Sequence, residues 1–212
     1  MIERGIYDVL DASAASKKVT HFSAADDRLW AGVMSLKASE TITLESASRY
    51  DFYVLKGSLE SDDTAPMMQG AFASRCVPGT LRAGEGGATV FVYRERSPQT
   101  CETVTQSAAD RTWHAARAAG MRVAPLSESG HRLTLVEWEP GARTREHDHP
   151  RGEEIFVLSG ELRSQDARYP SGTWLRLHPG SRHEPFAEVP TVIMLRNGHL
   201  GAADSFDRAS LS

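Results

Sequence analysis

Short runs of apolar residues, separated by turn-forming residues, extend along most of the chain. In the first half they cover residues 30–36, 40–44, 51–55, 71–77 and 88–93, and in the second half 121–125, 133–139, 153–158, 172–177 and 191–196. Regularly spaced short runs without a long 3.6-residue period are typical of strands in a sandwich or barrel. One alanine-rich stretch, 107–120, ends in glycine and is compatible with a short helix. The pattern therefore predicts an all-β protein.

The polar segment 94–111 separates the two series of runs. It contains Ser97-Pro98 and a Thr/Ser/Gln-rich stretch, which indicate a linker. We place the boundary near residue 105, so that the predicted domains are 1–104 and 105–212. Residues 1–28 mix short apolar runs with turn-forming residues and predict an extended arm or one short strand.

A group of potential metal ligands follows the run at 133–139. His147 and His149 are separated by one residue, so an extended strand would direct both imidazoles to one side, and Glu153 can return to that side after a turn at 150–152. His183 follows a second turn and is the natural fourth ligand. Three imidazoles and one carboxylate suit Fe, Zn, Mn, Ni or Co and leave coordination positions open.

Two other interpretations of these four residues remain open. They could lie on a polar rim without a metal, or they could hold a closed structural metal. If they do bind an ion, the histidines must be neutral, so the affinity is expected to fall as pH drops through about 6.5.

The two halves of the chain resemble each other. The segment Val54-Leu55-Lys56-Gly57-Ser58-Leu59 matches Val157-Leu158-Ser159-Gly160-Glu161-Leu162, and residues 77–82 match residues 178–183. A tandem repeat is the simplest explanation, and chance similarity between two β-rich halves is the alternative. Under the repeat, the first half has no metal ligands, because its equivalent positions are Leu44, Ser46, Tyr50 and Arg82.

These motifs carry a family resemblance. The pattern Gly141-x5-His147-x-His149-x3-Glu153-x6-Gly160 resembles the first cupin motif, and Gly172-x7-Gly180-x2-His183 resembles the second. Residues 149–162, 169–174 and 179–183 are similar to the cupin domain of ChrR-type anti-sigma factors. This resemblance extends over residues 113–198 and, more weakly, over residues 25–95.

The resemblance implies a bicupin, in which a degenerate jelly-roll barrel without metal ligands precedes a metal-binding ChrR-like barrel. The ChrR-type family includes small iron-dependent dioxygenases that cleave carbon–carbon bonds of carbonyl compounds. Its regulatory members carry a helical N-terminal domain with a His/Cys zinc site that holds the sigma factor. No such motif is found before residue 29, which weakens the anti-sigma interpretation.

Composition and charge narrow the range of partners. The chain has 212 residues, is 40% hydrophobic and has a net charge of −4, with basic and acidic residues interspersed. We therefore expect no nucleic-acid partner, and no apolar run is long enough to suggest a membrane span. Cys76 and Cys101 fit neither a disulfide framework nor a zinc motif, and the N-terminus does not resemble a signal peptide, so a cytoplasmic location is expected.

Two functions follow as hypotheses. The first is an iron-dependent dioxygenase for a small carbonyl or phenolic compound, with Trp138, Ile155, Val157 and Trp174 as walls of the substrate pocket. The second is a non-catalytic regulator in which metal or ligand occupancy alters contact with a regulatory protein partner. The sequence leaves a homodimer open and assigns no catalytic residue beyond the metal ligands.

Overall fold

The computed structural model describes residues 1–7, 18–62, 64–98, 102–127, 132–165 and 167–201. These residues form strands joined by turns and irregular segments, and they contain no helix. The prediction of an all-β protein is therefore confirmed. The prediction of a short helix at residues 107–120 is wrong, because turns and a two-residue strand occupy that stretch. Within the described ranges, no helix is long and apolar enough to cross a membrane.

The chain divides into two compact units. The N-terminal unit is Tyr7–Arg111, and the C-terminal unit combines Met1–Ile6 with Thr112–Ser212. Strand β1 (Ile2–Ile6) thus belongs to the C-terminal unit, where it pairs with a strand about 170 residues further along the chain. That pairing joins distant parts of the chain and follows no local sequence pattern. A single boundary near residue 105 therefore does not place β1 in the unit to which it belongs.

The N-terminal unit contains strands β2 to β9. Their bounds are β2 (Lys18–His21), β3 (Leu29–Leu36), β4 (Thr41–Leu44), β5 (Ser48–Ser61), β6 (Thr64–Met68), β7 (Phe72–Arg75), β8 (Gly79–Arg96) and β9 (Val104–Gln106). The main path of the sheet is β2-β3-β8-β5-β7-β9, with β4 paired to β8 and β6 paired to β5. Its apolar core includes Trp30, Leu44, Tyr50 and Phe52.

The C-terminal unit contains β1 and eleven further strands among the described residues. They are β10 (His114–Ala115), β11 (Met121–Ser127), β12 (Arg132–Trp138), β13 (His147–Asp148), β14 (Glu153–Ser159), β15 (Glu161–Ser164), β16 (Ala167–Pro170), β17 (Thr173–Leu177), β18 (Arg182–His183), β19 (Pro185–Ala187) and β20 (Thr191–Asn197). The main sheet has the order β1-β17-β14-β20-β12-β11-β10. The pair β13-β18 and the sheet β16-β15-β19 complete the unit.

Five strands in each main sheet have the same order. The path β2-β3-β8-β5-β7 corresponds to β11-β12-β20-β14-β17, so that β8 lies between β3 and β5 as β20 lies between β12 and β14. The edge strands next in line differ, because β9 is the last strand of its unit in sequence and β1 is the first of its unit. The sheets are open in their hydrogen bonding, so the expected pair of closed tandem barrels is not confirmed.

The cysteine prediction requires a correction. Cys76, just after β7, is disulfide-bonded, whereas the sequence suggested no disulfide. Two cysteines far apart in sequence give no local spacing by which a bridge could be recognised. The other cysteine of the sequence, Cys101, lies outside the described residues. The expected cytoplasmic location therefore loses one of its two supports and stays a prediction.

Candidate metal centre

Two short paired strands bring the histidines together. In the antiparallel pair β13-β18, His147 lies directly opposite His183. His149 follows β13, and its backbone N–H donates to the carbonyl oxygen of Ser181 at 3.1 Å, while the N–H of Gly180 donates to the carbonyl oxygen of His149 at 3.0 Å. The turn before β18 thereby holds the segment that carries His149.

A glycine makes the turn between His149 and Glu153. Gly152 has φ of 67°, and its N–H donates to the carbonyl oxygen of His149 at 3.1 Å. A Cβ at this position would lie 2.5 Å from Cδ1 of Leu200. Both the left-handed backbone and the close approach require glycine, and the tight turn returns the chain so that Glu153 begins β14 beside the histidines.

The three imidazoles surround a common point. The ring centroids of His147, His149 and His183 are 4.7–4.8 Å apart in every pair, and all three pairs are edge-on. One ligand nitrogen from each ring lies within 4.8 Å of the other two. This triangular arrangement is what three histidine ligands of a single ion would adopt.

Glu153 lies beside two of the three histidines. Its carboxylate oxygens lie 3.4 Å from Nδ1 of His149 and 3.6 Å from Nε2 of His183, and Nε2 of His183 lies 3.2 Å from Nε2 of His147. The carboxylate distances are longer than good hydrogen bonds. Adjacent ligands at about 2.0–2.2 Å from one metal lie ~3.0–3.5 Å apart, and the Nε2 atoms of His147 and His183 are spaced within that range.

Hydrogen bonding leaves imidazole nitrogens available for a metal. Nδ1 of His147 lies 2.9 Å from the carbonyl oxygen of Arg145. The carbonyl only accepts, so this nitrogen carries the proton and Nε2 presents a lone pair, as in metal-binding histidines. Nε2 of His149 is buried and has no hydrogen-bond partner among the described residues. A divalent ion would satisfy both nitrogens, and the donor set therefore fits a metal.

Burial shifts the protonation of the cluster. His149, His183 and Glu153 are each only 5–6% exposed. Burial, together with the neighbouring histidines, lowers the pKa of His149 to about 4 and that of His183 to about 3. Burial also raises the pKa of Glu153 to about 8. Near neutral pH these two histidines are thus ready to coordinate, whereas Glu153 holds a proton that a metal must displace.

A small apolar cavity adjoins the cluster. Its volume is about 100 Å³, and His147, Glu153 and His183 form part of its wall. The other lining residues are Met121, Val136, Trp138, Thr144, Ile155, Leu162, Pro185, Ile193 and Leu195. The cavity is half open, and the site can therefore hold a small molecule beside an ion.

Of the four predicted pocket residues, two line the cavity and two do not. Trp138 and Ile155 line the cavity, whereas Val157 lies in the adjoining apolar core without lining it. Trp174 is fully buried beside Arg176, whose guanidinium carbon lies 5.0 Å from the ring centroid. Leu175 and Leu177 of the same strand belong to the core on the cavity side. Because side chains alternate along a strand, Trp174 is directed away from the cavity, and the pocket must be revised to leave it out.

A buried charged cluster occupies the opposite face of β14, which the sequence analysis did not identify. Glu154 is fully buried, and its carboxylate lies 2.8 Å from Arg176, 3.5 Å from Arg196 and 2.8 Å from His199. Burial alone would raise the pKa of Glu154, but Arg176, His199 and Arg196 hold it well below its ordinary value. The one available signal was that Glu154 and Arg196 occur within otherwise apolar runs.

The positions matched in the N-terminal half have a different character. Leu44 and Tyr50 belong to the apolar core, and the Tyr50 ring stacks on Phe52 at 5.9 Å between centroids. Ser46 and Arg82 are exposed. None of these four side chains is a usual metal ligand, and a metal-free N-terminal unit stays a prediction.

Comparison with known proteins identifies related folds. Residues 102–201 match the family model of the ChrR Cupin-like domain. No curated protein matches the chain. A candidate dioxygenase from Nostoc punctiforme is 12% identical with a TM-score of 0.71, covering 96% of this chain and 81% of that one. A candidate glyoxylate-induced protein from Pseudomonas aeruginosa is 13% identical with a TM-score of 0.71, covering 85% and 79%.

The oxalate decarboxylase of Bacillus subtilis has a similar fold. One of its structures is 13% identical with a TM-score of 0.62, covering 88% of this chain and 76% of that one. Another concerns its Mn(II) centres. At these identities the similarity establishes the fold and no shared activity. The family-model match covers residues 102–201, just under half of the chain, and the solved structures show that the fold is shared.

Proposed function

We propose that the chain is a duplicated cupin, or bicupin, whose C-terminal unit is an iron-dependent dioxygenase for a small carbonyl or phenolic compound. The equal order of five strands in the two main sheets supports the duplication. The observation that carries the enzymatic proposal is that His147, His183 and Glu153 line an apolar cavity, with His149 beside them. A purely structural metal would not need adjoining space for a ligand.

The residues of the cluster have distinct tasks in this proposal. His147, His149 and His183 present neutral imidazoles, and Glu153 supplies the one negative charge of the ligand set. With a divalent ion, the site keeps a net charge of +1 and attracts an anionic oxygen ligand such as an enolate. Bound iron would supply Lewis acidity and electron transfer to dioxygen. The mainly apolar cavity wall provides a low-polarity surface for the uncharged part of such a ligand.

The donor set also accommodates Mn, Zn, Ni and Co. Among the proteins of similar fold, one is a candidate dioxygenase and another is an enzyme with Mn(II) centres. Iron is proposed here because it supports chemistry with dioxygen, which zinc does not.

The test is oxygen uptake by protein loaded with Fe(II) under anaerobic conditions, with a panel that includes 2,4-pentanedione and 2-hydroxyacetophenone. We expect uptake with at least one compound and none from the Zn(II)-loaded protein. Glu153→Ala and His183→Ala should abolish uptake, whereas Glu184→Ala, which removes an exposed carboxylate next to His183, should retain it. Absence of uptake with Fe(II) bound, across a broad panel of carbonyl compounds and phenols, would reject the dioxygenase.

The alternative is a non-catalytic sensor, and the match to the ChrR Cupin-like domain favours it. In that case metal or ligand occupancy of the C-terminal unit would change contact with a regulatory protein, as expected for a relative of anti-sigma factors. A stable protein partner that is recovered only with the metal-loaded form, combined with absence of oxygen uptake, would support this alternative.

A further inference from the structure

One side of the main sheet in the C-terminal unit is only partly covered. We call it the inner face, because it carries Val136, Ile155 and Leu195, which line the cavity. Thr134, two residues before Val136, shares this face and lies opposite Leu195. Strands β12 and β20 have a neighbouring strand on both sides, yet Thr134 and Leu195 are only half-buried. Residues on the other face of these two strands are 0–1% exposed, and they are Leu133, Leu135, Met194 and Arg196. The exposure therefore comes from an opening on the inner face.

Two polar residues continue the inner face at this opening. Because side chains alternate along a strand, Asn197 shares the face with Leu195, and Arg132 shares it with Thr134. The strand register places Asn197 between Arg132 on one side and Glu153 on the other. Adjacent strands are about 4.8 Å apart, so about 10 Å separates the backbone of Arg132 from that of Glu153. Asn197 is half-buried and Arg132 is exposed, so a molecule in solution can reach both.

The opening thus carries a positive charge and an amide beside a proposed metal ligand. A guanidinium group presents its N–H donors in a fork that matches a carboxylate, and an amide can add one more donor. The metal site with a divalent ion also keeps a net positive charge. Two positive centres at the two ends of one short path favour a molecule with an anionic oxygen group at each end.

We propose that the substrate is a carbonyl compound with a separate carboxylate, whose carbonyl end lies at the metal and whose carboxylate lies at Arg132 and Asn197. The inference rests on the proposed function and adds the substrate class and two binding residues. Leu195, which lines the cavity at the same opening, contacts the uncharged chain between the two ends. The carboxylate stays at the open end, where water can still reach it, so the cost of burying a charge is avoided.

The test uses Co(II)-loaded protein, because the visible spectrum of the ion reports ligands that enter its coordination sphere. The probes are 4,6-dioxoheptanoate and its amide, 4,6-dioxoheptanamide, which share a chelating diketone and differ only in the terminal group. The acid should bind to the wild type about fivefold more tightly than the amide, since an exposed ion pair is weakened by water. About 0.5 M NaCl should reduce this preference and leave the Kd of the amide unchanged.

Variants identify the residues that produce the preference. Arg132→Gln should raise the Kd of the acid about fivefold and leave that of the amide unchanged. Asn197→Ala should weaken binding of the acid more than binding of the amide. Arg122→Gln is the matched control, because Arg122 follows the cavity-lining Met121 and so lies on the opposite face of the sheet, where it pairs with Glu137. It should leave both Kd values unchanged.

The outcomes separate this inference from the proposed function. If the protein takes up no Co(II), the metal site fails and this inference fails with it. If Co(II) binds but the acid is not preferred, or Arg132→Gln keeps the preference, the metal site stands and the inference is overturned. Oxygen uptake by the Fe(II) form with uncharged diketones, combined with no binding of the acid, would keep the dioxygenase and likewise overturn the inference.

Discussion

Metal binding at this site should release a proton near neutral pH, and the proton comes from Glu153. Burial raises the pKa of this carboxyl to about 8, whereas coordination requires the ionised form. At pH 7, one unit below that pKa, about nine in ten carboxyls are protonated before the metal binds. Since burial lowers the pKa values of His149 and His183 to about 4 and about 3, these two ligands have almost no protons to lose at pH 7.

The expected release from Glu153 is about one proton per metal at pH 7 and close to none at pH 9. The apparent affinity for the metal should rise about tenfold per pH unit from pH 6 to pH 8 and then level off. This differs from the expectation based on the ordinary histidine pKa, in which competition from protons ends near pH 6.5. The structure moves the dependence upward because a carboxyl, rather than these two imidazoles, is the group protonated in the metal-free site.

Isothermal titration calorimetry in buffers of different ionisation enthalpy measures the number of protons directly. Glu153→Gln should greatly reduce the release at pH 7, and Glu184→Ala, which alters an exposed carboxyl, should keep it. If the wild-type protein binds metal at pH 7 with no proton release, or if the release is the same at pH 7 and pH 9, the assignment of Glu153 as a buried ligand is refuted.

The same carboxyl should limit the stability of the metal-free protein. Because the folded state holds the proton of Glu153 more tightly than the unfolded state does, stability falls as pH rises from the ordinary value of 4.5 to about 8. The full effect is roughly 5 kcal/mol, at 1.36 kcal/mol per pH unit. Above pH 8, metal-free Glu153→Gln should therefore be more stable than wild type in urea unfolding, and equal stability would contradict the reasoning.

Three further predictions concern stability. Glu154→Gln removes the buried carboxylate shared by Arg176, Arg196 and His199 and should lower the free energy of unfolding by about 3–5 kcal/mol in urea titration. An unchanged midpoint would contradict the ion cluster. Gly152→Ala places a methyl group against Leu200 and should weaken both metal binding and stability. The control is Gly141→Ala, which is also at positive φ but has open space around its Cβ position. It should cost only about 1–3 kcal/mol of backbone strain and keep the metal affinity. His149 and His183 have lowered pKa values in the folded state, so the unfolded state binds more protons between about pH 3 and pH 6.5. The metal-free protein should therefore lose stability as pH falls from 6.5 toward 3. Metal-free His183→Gln should lose less stability over that range than wild type.

The features that the sequence predicted well are those that depend on local spacing. His147, His149 and Glu153 lie within seven residues, so strand and turn geometry alone bring them together, and the second motif adds His183. The short apolar runs likewise located the strands, because turns interrupt them at glycine and proline. The metal assignment itself remains a prediction, although the geometry of the four side chains supports it.

The features that the sequence did not predict depend on which face of a strand a side chain occupies and on pairing between strands that are distant in the chain. Strand β14 is buried on both sides, so its polarity does not alternate and cannot show that Glu153 and Glu154 serve different sites. The same ambiguity led to Trp174 being placed in the pocket. The pairing of β1 with β17 joins residues at opposite ends of the chain, and no periodicity within either strand specifies it.

The most direct test of the central claim is elemental analysis of protein purified without added metal, carried out together with variants of each proposed ligand. We predict up to one divalent transition metal per chain in the wild type, restored to one by incubation with Fe(II). His147→Ala, His149→Ala, Glu153→Ala and His183→Ala should each lose most of it, while Glu184→Ala retains it. Failure of the wild type to retain any such ion after incubation with Fe(II), Mn(II) or Zn(II), or full metal content in folded His149→Ala and His183→Ala, would contradict the account.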